Sequence, residues 1–314
     1  MLSSIVFGPV PSRRLGRSLG INNIPPKICS YSCVYCQLGN TKNIQGERQT
    51  FYDPEKIAQR VKQKVGQVEA KGEAIDYLAF VPDGEPTLDV NLGKEIELLK
   101  SLNIKIAVIT NSSLIWRGDV RRDLQKADWV SLKVDAVNRD TWRRLNRPQK
   151  SLEIEGILDG MVEFAGAFKG ELTTESMLIQ DINDSAREIE GVADFLVKLK
   201  PDMAYLSIPT RPPAKRTISA ATEQAINLAY QIFDKRLNSV ECITGYEGNA
   251  FTFSGNVEEE LLSITSVHPM REEAVAEFLR RAGDSWETVR RMVESGSLVE
   301  LRYQGKKFYM RKLH

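Results

Sequence analysis

Three cysteines near the start of the chain have the spacing of an iron-binding loop. Cys29, Cys33 and Cys36 follow a C-x3-C-x2-C pattern. Thiolates are the preferred ligands of iron–sulfur clusters, which normally take four protein ligands. A group of three predicts a four-iron cluster with one iron left open to a small molecule. The alternative is a zinc site with three protein ligands and a water. Zinc usually takes a histidine, and His268 and His314 lie far along the chain.

The composition is that of an ordinary globular protein. The 314 residues are 42% hydrophobic and 27% charged, with a net charge of +1, so the whole chain is not a polyanion binder. We expect no membrane span and no secretory signal, because no apolar run is long enough. Three of the four cysteines share one loop, which favours a reducing, cytoplasmic location. Cys242 has apolar neighbours and is predicted to be a buried structural thiol.

Strand-like and helix-like segments alternate along most of the chain. Apolar runs predict strands at residues 15–24, 75–81, 104–110, 129–134, 172–179 and 203–208. Periodicity and capping residues predict helices at 53–70, 92–102, 119–126, 152–168, 185–199 and 222–233. This alternation predicts an α/β fold of six parallel units, a partial (β/α)6 TIM-like barrel. Ligands of such folds bind at the carboxyl ends of the strands, where the cysteine loop is expected.

A short glycine-containing turn follows the second predicted strand. Gly84 allows the backbone to approach a ligand closely. The carboxylate of Glu85 can accept a hydrogen bond from an ammonium group, and Pro86 follows it. The alternative interpretation of this stretch is a simple Asp-Gly turn.

Polar residues also follow the third and fourth predicted strands. Asn111 and Ser112 can bind a ribose or a carboxylate, or they form a capped turn. Lys133 and Asp135 stand two residues apart and share one face of a strand. Inside a barrel, the cost of burying these two charges must be offset by a bound ligand or by an ion pair between them, so a structural Lys–Asp pair is the alternative.

The cysteine loop resembles the signature of the radical S-adenosylmethionine (radical SAM) superfamily, in which an aromatic residue, here Tyr35, precedes the third cysteine. The resemblance covers roughly residues 5–250. It implies that the open iron of a [4Fe-4S] cluster binds S-adenosyl-L-methionine (SAM) through its amino and carboxylate groups. An electron from a reductant such as flavodoxin or ferredoxin then cleaves a carbon–sulfur bond, giving methionine and a 5′-deoxyadenosyl radical.

The resemblance also implies roles for the residues at the strand ends. The Gly84-Glu85-Pro86 stretch matches the motif that contacts the SAM amino group. Asn111, Ser112, Lys133 and Asp135 are then expected at the SAM ribose, carboxylate or methionine part. Segments 7–14 and 34–38 are similar to a branch of iron–sulfur oxidoreductases loosely related to wyosine-type tRNA-modifying enzymes. The chain lacks the cysteines that the second cluster of wyosine synthesis requires.

Two arginine-containing loops are predicted on the same rim of the barrel. Residues 140–148 include Arg143 and Arg144, and residues 210–216 include Arg211. Arginine beside an aromatic side chain suits a phosphate and a stacked base. It also suits an acidic peptide, or a solvated basic rim without a partner.

The chain changes in character near residue 255, which predicts domains at 1–255 and 256–314. Helices are expected at 257–264, 271–279 and 286–294, followed by a hairpin of 298–303 and 306–310. Three helices and a hairpin resemble a winged helix-turn-helix domain. The positive hairpin, with Lys306 and Lys307, favours nucleic acid as its partner. A protein-docking domain is the alternative.

Three functions follow from these observations. The first is a radical SAM enzyme that modifies tRNA or another RNA. The second is a radical SAM modifier or activase of a protein substrate. The third is a non-catalytic iron–sulfur protein that senses redox state and regulates transcription; the intact Gly84-Glu85-Pro86 stretch disfavours it, since a sensor has no need to hold SAM.

Overall fold

The computed structural model describes residues 5–41, 43–245, 251 and 256–312. Its strands, numbered β1 to β13, are Val6–Ser12, Gly16–Ile21, Ile28–Cys29, Asn43–Ile44, Tyr77–Phe80, Lys105–Thr110, Trp129–Lys133, Glu171–Met177, Met203–Ser207, Val240–Cys242, Met270–Arg271, Leu298–Tyr303 and Lys306–Arg311. Its α-helices, α1 to α10, are Pro54–Glu69, Leu92–Leu99, Gly118–Leu124, Arg139–Asn146, Ile154–Ala167, Ala186–Leu199, Glu223–Asp234, Val257–Val267, Glu272–Ala282 and Trp286–Glu294. No described helix combines the length and apolar character needed to cross a membrane.

The main sheet has eight strands in the order β1-β2-β5-β6-β7-β8-β9-β10. The first pair is antiparallel and all the other pairs are parallel. Strands such as β5 are apolar at successive residues, with Leu78, Ala79 and Phe80 fully buried, as in a parallel sheet covered on both faces. The mixed α/β fold with six strand–helix units is therefore as predicted, and the short β10 adds a seventh parallel strand.

The first strand, β1, was not predicted, because two prolines and a glycine interrupt it. It pairs with β2 at the edge of the sheet, where missing N–H donors cost little. The Phe7 ring lies over Gly20, and a Cβ at that glycine would stand 2.0 Å from the ring. A glycine is therefore required at position 20, where the Phe7 ring packs against β2.

Residues 139–146 form helix α4, which corrects the prediction of a loop there. The Asn138 side chain accepts hydrogen bonds from the N–H groups of Asp140 and Thr141 and so caps the helix. Trp142 and Leu145, three residues apart, are buried on its inner face. The many charged residues of this stretch lie on the opposite face, which explains why it looked like a loop in the sequence.

The C-terminal segment consists of α8, α9 and α10 with a three-stranded sheet in the order β11-β13-β12. The three helices and the hairpin are as expected, and β11 is additional. Its core includes Leu261 and Phe278 together with Phe7 and Val10 of β1. Lys64 of α1 forms an ion pair with Glu260 of α8 (2.9 Å). The C-terminal segment therefore packs against the first strand, and the expected boundary at 255/256 adjoins residues 252–255, outside the described part.

Candidate active site at the cysteine loop

The cysteine loop is held against the turn that follows β5. The Glu85 N–H donates to the Ile28 carbonyl (3.1 Å), and the Lys27 N–H donates to the Asp83 carbonyl (2.7 Å). A Cβ at Gly84 would stand 1.8 Å from the Ile28 carbonyl oxygen. Only glycine permits this approach, because the obstacle is backbone and cannot rotate away.

Each of the three cysteine sulfurs has its own N–H donor. The Asn111 amide donates to Cys29 Sγ (3.4 Å), and the Asn146 amide donates to Cys33 Sγ (3.4 Å). Lys27 Nζ stands 3.9 Å from Cys36 Sγ. The donors come from the end of β6, the end of α4 and the loop itself. Such donors stabilise negative charge on sulfur, and hydrogen bonds to sulfur tune iron–sulfur clusters.

The donor set fits a [4Fe-4S] cluster better than a single metal ion. Among the described residues, no three His, Cys, Asp or Glu side chains are grouped closely enough to hold one ion. Burial raises the pKa of Cys33 to about 12 and raises the pKa of Cys29 as well. These thiols therefore become thiolates when they bind metal and release their protons.

Both oxygens of the Glu85 carboxylate accept hydrogen bonds from the chain. Its Oε1 accepts from the hydroxyls of Thr87 and Thr110 (2.6 Å each) and from the Thr87 N–H (3.1 Å). Its Oε2 accepts from the Asn111 N–H (2.7 Å). Burial raises the pKa of Glu85, and the hydrogen bonds oppose that rise. Glu85 thus ties the end of β6 to the cysteine loop.

A buried network of opposite charges also lines the cavity, through Arg14, Lys133 and Glu175. Lys133 Nζ stands 2.8 Å from Glu175 Oε1 and 3.7 Å from Asp135 Oδ1. Arg14 forms an ion pair with the other oxygen of Glu175. Burial alone raises the pKa of Glu175, but Lys133 and Arg14 outweigh it, and the net pKa lies well below its usual range. The Tyr35 hydroxyl donates to Asp135.

Burial tends to lower the pKa of Lys133, but Asp135 and Glu175 raise it above its usual value. The ammonium group therefore stays protonated and supplies positive charge to the cavity. It also lies over the Tyr35 ring, 5.2 Å from the centroid.

These groups surround one cavity of about 320 Å³. The predicted site residues that line it are Cys29, Cys33, Cys36, Tyr35, Gly84, Glu85, Asn111, Lys133 and Arg211. Pro86, Ser112 and Asp135 lie behind its wall. The buried Ser112 hydroxyl accepts the Lys133 N–H (3.1 Å), and Pro86 begins a short 3-10 helix. The cavity thus brings together predicted site residues that lie up to 182 positions apart in the sequence, Cys29 and Arg211. This is what a parallel fold with its site at the strand ends requires.

The predicted substrate residues do not form one surface. Arg143 and Arg144 are exposed on α4, where Arg144 donates to the Asp181 carbonyl (3.1 Å). Arg211 lines the cavity and donates to the Gln37 side chain (2.7 Å). A second nitrogen of Arg211 stands 2.9 Å from His268 Nε2, so the cavity wall contacts the C-terminal segment.

The hairpin lysines have acidic neighbours that the sequence did not reveal. Lys307 Nζ lies 3.0 Å from Glu272 and 3.5 Å from Glu300, and Lys306 Nζ lies 3.9 Å from Glu273. The hairpin predicted as a positive surface therefore has its lysines paired with carboxylates. Helix α9 places its first-turn acids beside the hairpin because β11, directly before it, pairs with β13.

Sequence reasoning missed three site residues. Glu175 had a detectable signal, since it is a charged residue inside an otherwise buried strand. Asn146 had none, because its role arises from the packing of α4 against the cysteine loop. Lys27 stands beside the cysteines, but only its positive φ of 62° turns it back towards Cys36.

Comparisons with known proteins show the family to which the chain belongs. The radical SAM superfamily model matches residues 23–196, more than half of the chain, and the chain belongs to this superfamily. It is 49% identical over 312 residues to UPF0026 protein MJ1312 of Methanocaldococcus jannaschii, covering 99% of this chain and 97% of the relative. It is 22% identical over 230 residues to a probable dual-specificity RNA methyltransferase RlmN of Streptococcus thermophilus, covering 70% and 57%.

Two solved structures share the fold. TYW1 with a lysine–pyruvate adduct bound has a TM-score of 0.53 and 17% identity, covering 70% of this chain and 74% of TYW1. SuiB of Streptococcus suis, bound to precursor peptide SuiA, has a TM-score of 0.53 and 15% identity, covering 76% and 53%. At these identities the likeness concerns the fold alone.

Proposed function

We propose that this protein is a radical SAM enzyme that reductively cleaves SAM at a [4Fe-4S] cluster on Cys29, Cys33 and Cys36. The observation that carries the proposal is the set of three cysteine sulfurs, each with an N–H donor, at the wall of a cavity of about 320 Å³. A cluster held by Cys29, Cys33 and Cys36 would pass an electron from a flavodoxin or ferredoxin to SAM, and cleavage of a carbon–sulfur bond would give methionine and a 5′-deoxyadenosyl radical. A sensor needs no such cavity, which disfavours the regulator alternative.

The chain's own residues position and balance this site. Glu85 holds the Asn111 backbone, and the Asn111 side chain reaches Cys29, so the carboxylate organises the SAM side of the cavity. Gly84 and Tyr35 are proposed to lie beside SAM. Lys133 offers a positive charge to the SAM carboxylate, and Glu175 keeps that charge in place.

The proposal also includes the class of substrate. RNA, including tRNA, is the substrate predicted from the sequence, and the relative named as an RNA methyltransferase supports it. A protein substrate is the second candidate, favoured by the ion pairs that neutralise Lys306 and Lys307. In both cases we propose that residues 256–314 act as a winged-helix-like recruiting domain. A flavodoxin or ferredoxin is the proposed electron donor.

The test is anaerobic reconstitution followed by measurement of iron, sulfide and 5′-deoxyadenosine. The wild type should bind about four irons per chain and release 5′-deoxyadenosine when reduced. Replacing Cys29, Cys33 and Cys36 by alanine should abolish both. Cys242→Ala is the matched control and should change neither. A full cluster in the triple variant, or a cluster that never cleaves SAM, contradicts the proposal.

A further inference from the structure

A second cleft lies beside the cysteine cavity. It measures about 550 Å³ and is bounded by the cysteine loop, residues 212–216 and strand β12. Gln37 lines both the cleft and the cavity. The Tyr303 hydroxyl of β12 donates to the carbonyl of Pro209, a residue of the cavity wall (3.1 Å). A molecule seated in the cleft therefore lies at the mouth of the cysteine cavity.

Strand β12 presents a main-chain edge to this cleft. Within the described residues it pairs with β13 on one side and has no neighbouring strand on the other. The hairpin closes in a two-residue turn whose φ angles are both positive (47° and 72°), which makes Tyr303 and Lys306 a hydrogen-bonded pair. The alternation of an antiparallel ladder then turns the main-chain groups of Glu300 and Arg302 away from β13, and both residues line the cleft.

The walls of the cleft are cationic and apolar. Arg216 and Arg302 are exposed and stand on opposite walls, one on the loop and one on β12. The cleft's carboxylate, Glu300, lies 3.5 Å from Lys307 Nζ. Leu301 and the prolines of 212–213 supply apolar surface. The charge therefore suits an occupant with acidic groups.

We propose that this cleft binds an extended, acidic peptide segment of a protein substrate, which adds as a strand to β12. Outward main-chain donors and acceptors at successive alternate residues match the repeat of a peptide strand. They do not match a nucleic acid backbone, which lacks the alternating N–H and C=O groups of a peptide strand. The peptide would lie between Arg216 and Arg302 and reach the cysteine cavity beside Gln37. Delivery to the cavity rests on the proposed function, but binding to β12 does not.

The test measures fluorescence anisotropy of labelled probes with the full chain. The probes are a twelve-residue peptide of alternating valine and glutamate, its valine–lysine counterpart, and a twelve-nucleotide oligouridylate. We expect the acidic peptide to bind at least tenfold more tightly than either of the others. Arg216→Glu with Arg302→Glu should weaken it at least tenfold, and Arg187→Glu on the exposed face of α6 should leave it unchanged.

Glu300→Pro separates strand addition from simple charge attraction. The substitution removes one acid, which by charge alone strengthens binding of the acidic peptide. It also removes the outward N–H while leaving the bonds to β13 intact, so strand addition predicts at least tenfold weaker binding. Thermal unfolding checks that the variant folds. Tight binding of oligouridylate, absent binding of the acidic peptide, or binding unaffected by Glu300→Pro overturns the proposal. None of these readouts depends on SAM cleavage.

Discussion

The hydrogen bonds of the Glu85 carboxylate predict how the substitution Glu85→Gln changes stability and SAM binding. Oε1 accepts three hydrogen bonds and Oε2 accepts one, from the Asn111 N–H at 2.7 Å. A glutamine keeps its oxygen in the three-donor position and turns its NH2 group towards Asn111. Two donors then face each other, and the Asn111 N–H loses its acceptor in a site where Glu85 is 1% exposed.

The loss of the hydrogen bond from the Asn111 N–H sets the expected loss of unfolding free energy. A hydrogen bond to a charged group contributes about 1.5–3 kcal/mol, and a buried unsatisfied donor costs about 1–3 kcal/mol. We therefore expect Glu85→Gln to lower the free energy of unfolding by about 2–4 kcal/mol. Because Asn111 also donates to Cys29, SAM affinity of the reconstituted protein should fall roughly tenfold to a hundredfold.

Urea unfolding of the metal-free protein measures the first effect, and equilibrium binding of SAM to the reconstituted protein measures the second. Glu190→Gln, an exposed change of the same chemistry on α6, is the control and should stay within about 0.5 kcal/mol of wild type. An unfolding free energy for Glu85→Gln equal to that of the control refutes the assignment of Glu85 as the tie between β6 and the cysteine loop.

Three further predictions concern neighbouring residues. Gly84→Ala should prevent cluster assembly, because its Cβ meets the Ile28 carbonyl at 1.8 Å, whereas Gly66→Ala on α1, with no atom within 4 Å, should assemble normally; iron counts decide. Asn146→Leu should keep four irons but shift the midpoint potential to more negative values in an EPR-monitored titration, since Cys33 loses its N–H donor; an unchanged potential contradicts this. Burial raises the pKa of Asp83 to about 7. Because folding raises the pKa of this carboxyl, its ionisation lowers the free energy of unfolding as the pH rises from about 4 to about 7. Asp83→Asn should remove about 2–3 kcal/mol of this pH dependence between pH 5 and pH 8 in urea unfolding, and identical profiles for variant and wild type would rule it out.

Much of the fold could be read from local patterns. The apolar runs and capping residues predicted the parallel strands from 75 onwards, because each signal depends on neighbours within one turn or one strand. Helix α4 was missed because four buried positions among many charges carry little periodic signal. Strand β1 was not predicted because prolines are tolerated only in an edge strand, and whether a strand lies at the edge depends on the whole sheet.

Some features of the candidate site likewise follow from local sequence, and others depend on the tertiary structure. The sequence by itself determined the cysteine spacing, the glycine before Glu85 and the polar residues at the strand ends, since short-range chemistry requires them side by side. Only the tertiary structure decided that Glu175 pairs with Lys133, that Asn146 donates to Cys33 and that Lys307 faces Glu272. Those partners lie 42, 113 and 35 positions apart. Their meeting depends on strand order and helix packing, and no local pattern encodes such distances because side-chain pairing across a sheet is set by the topology of the whole chain.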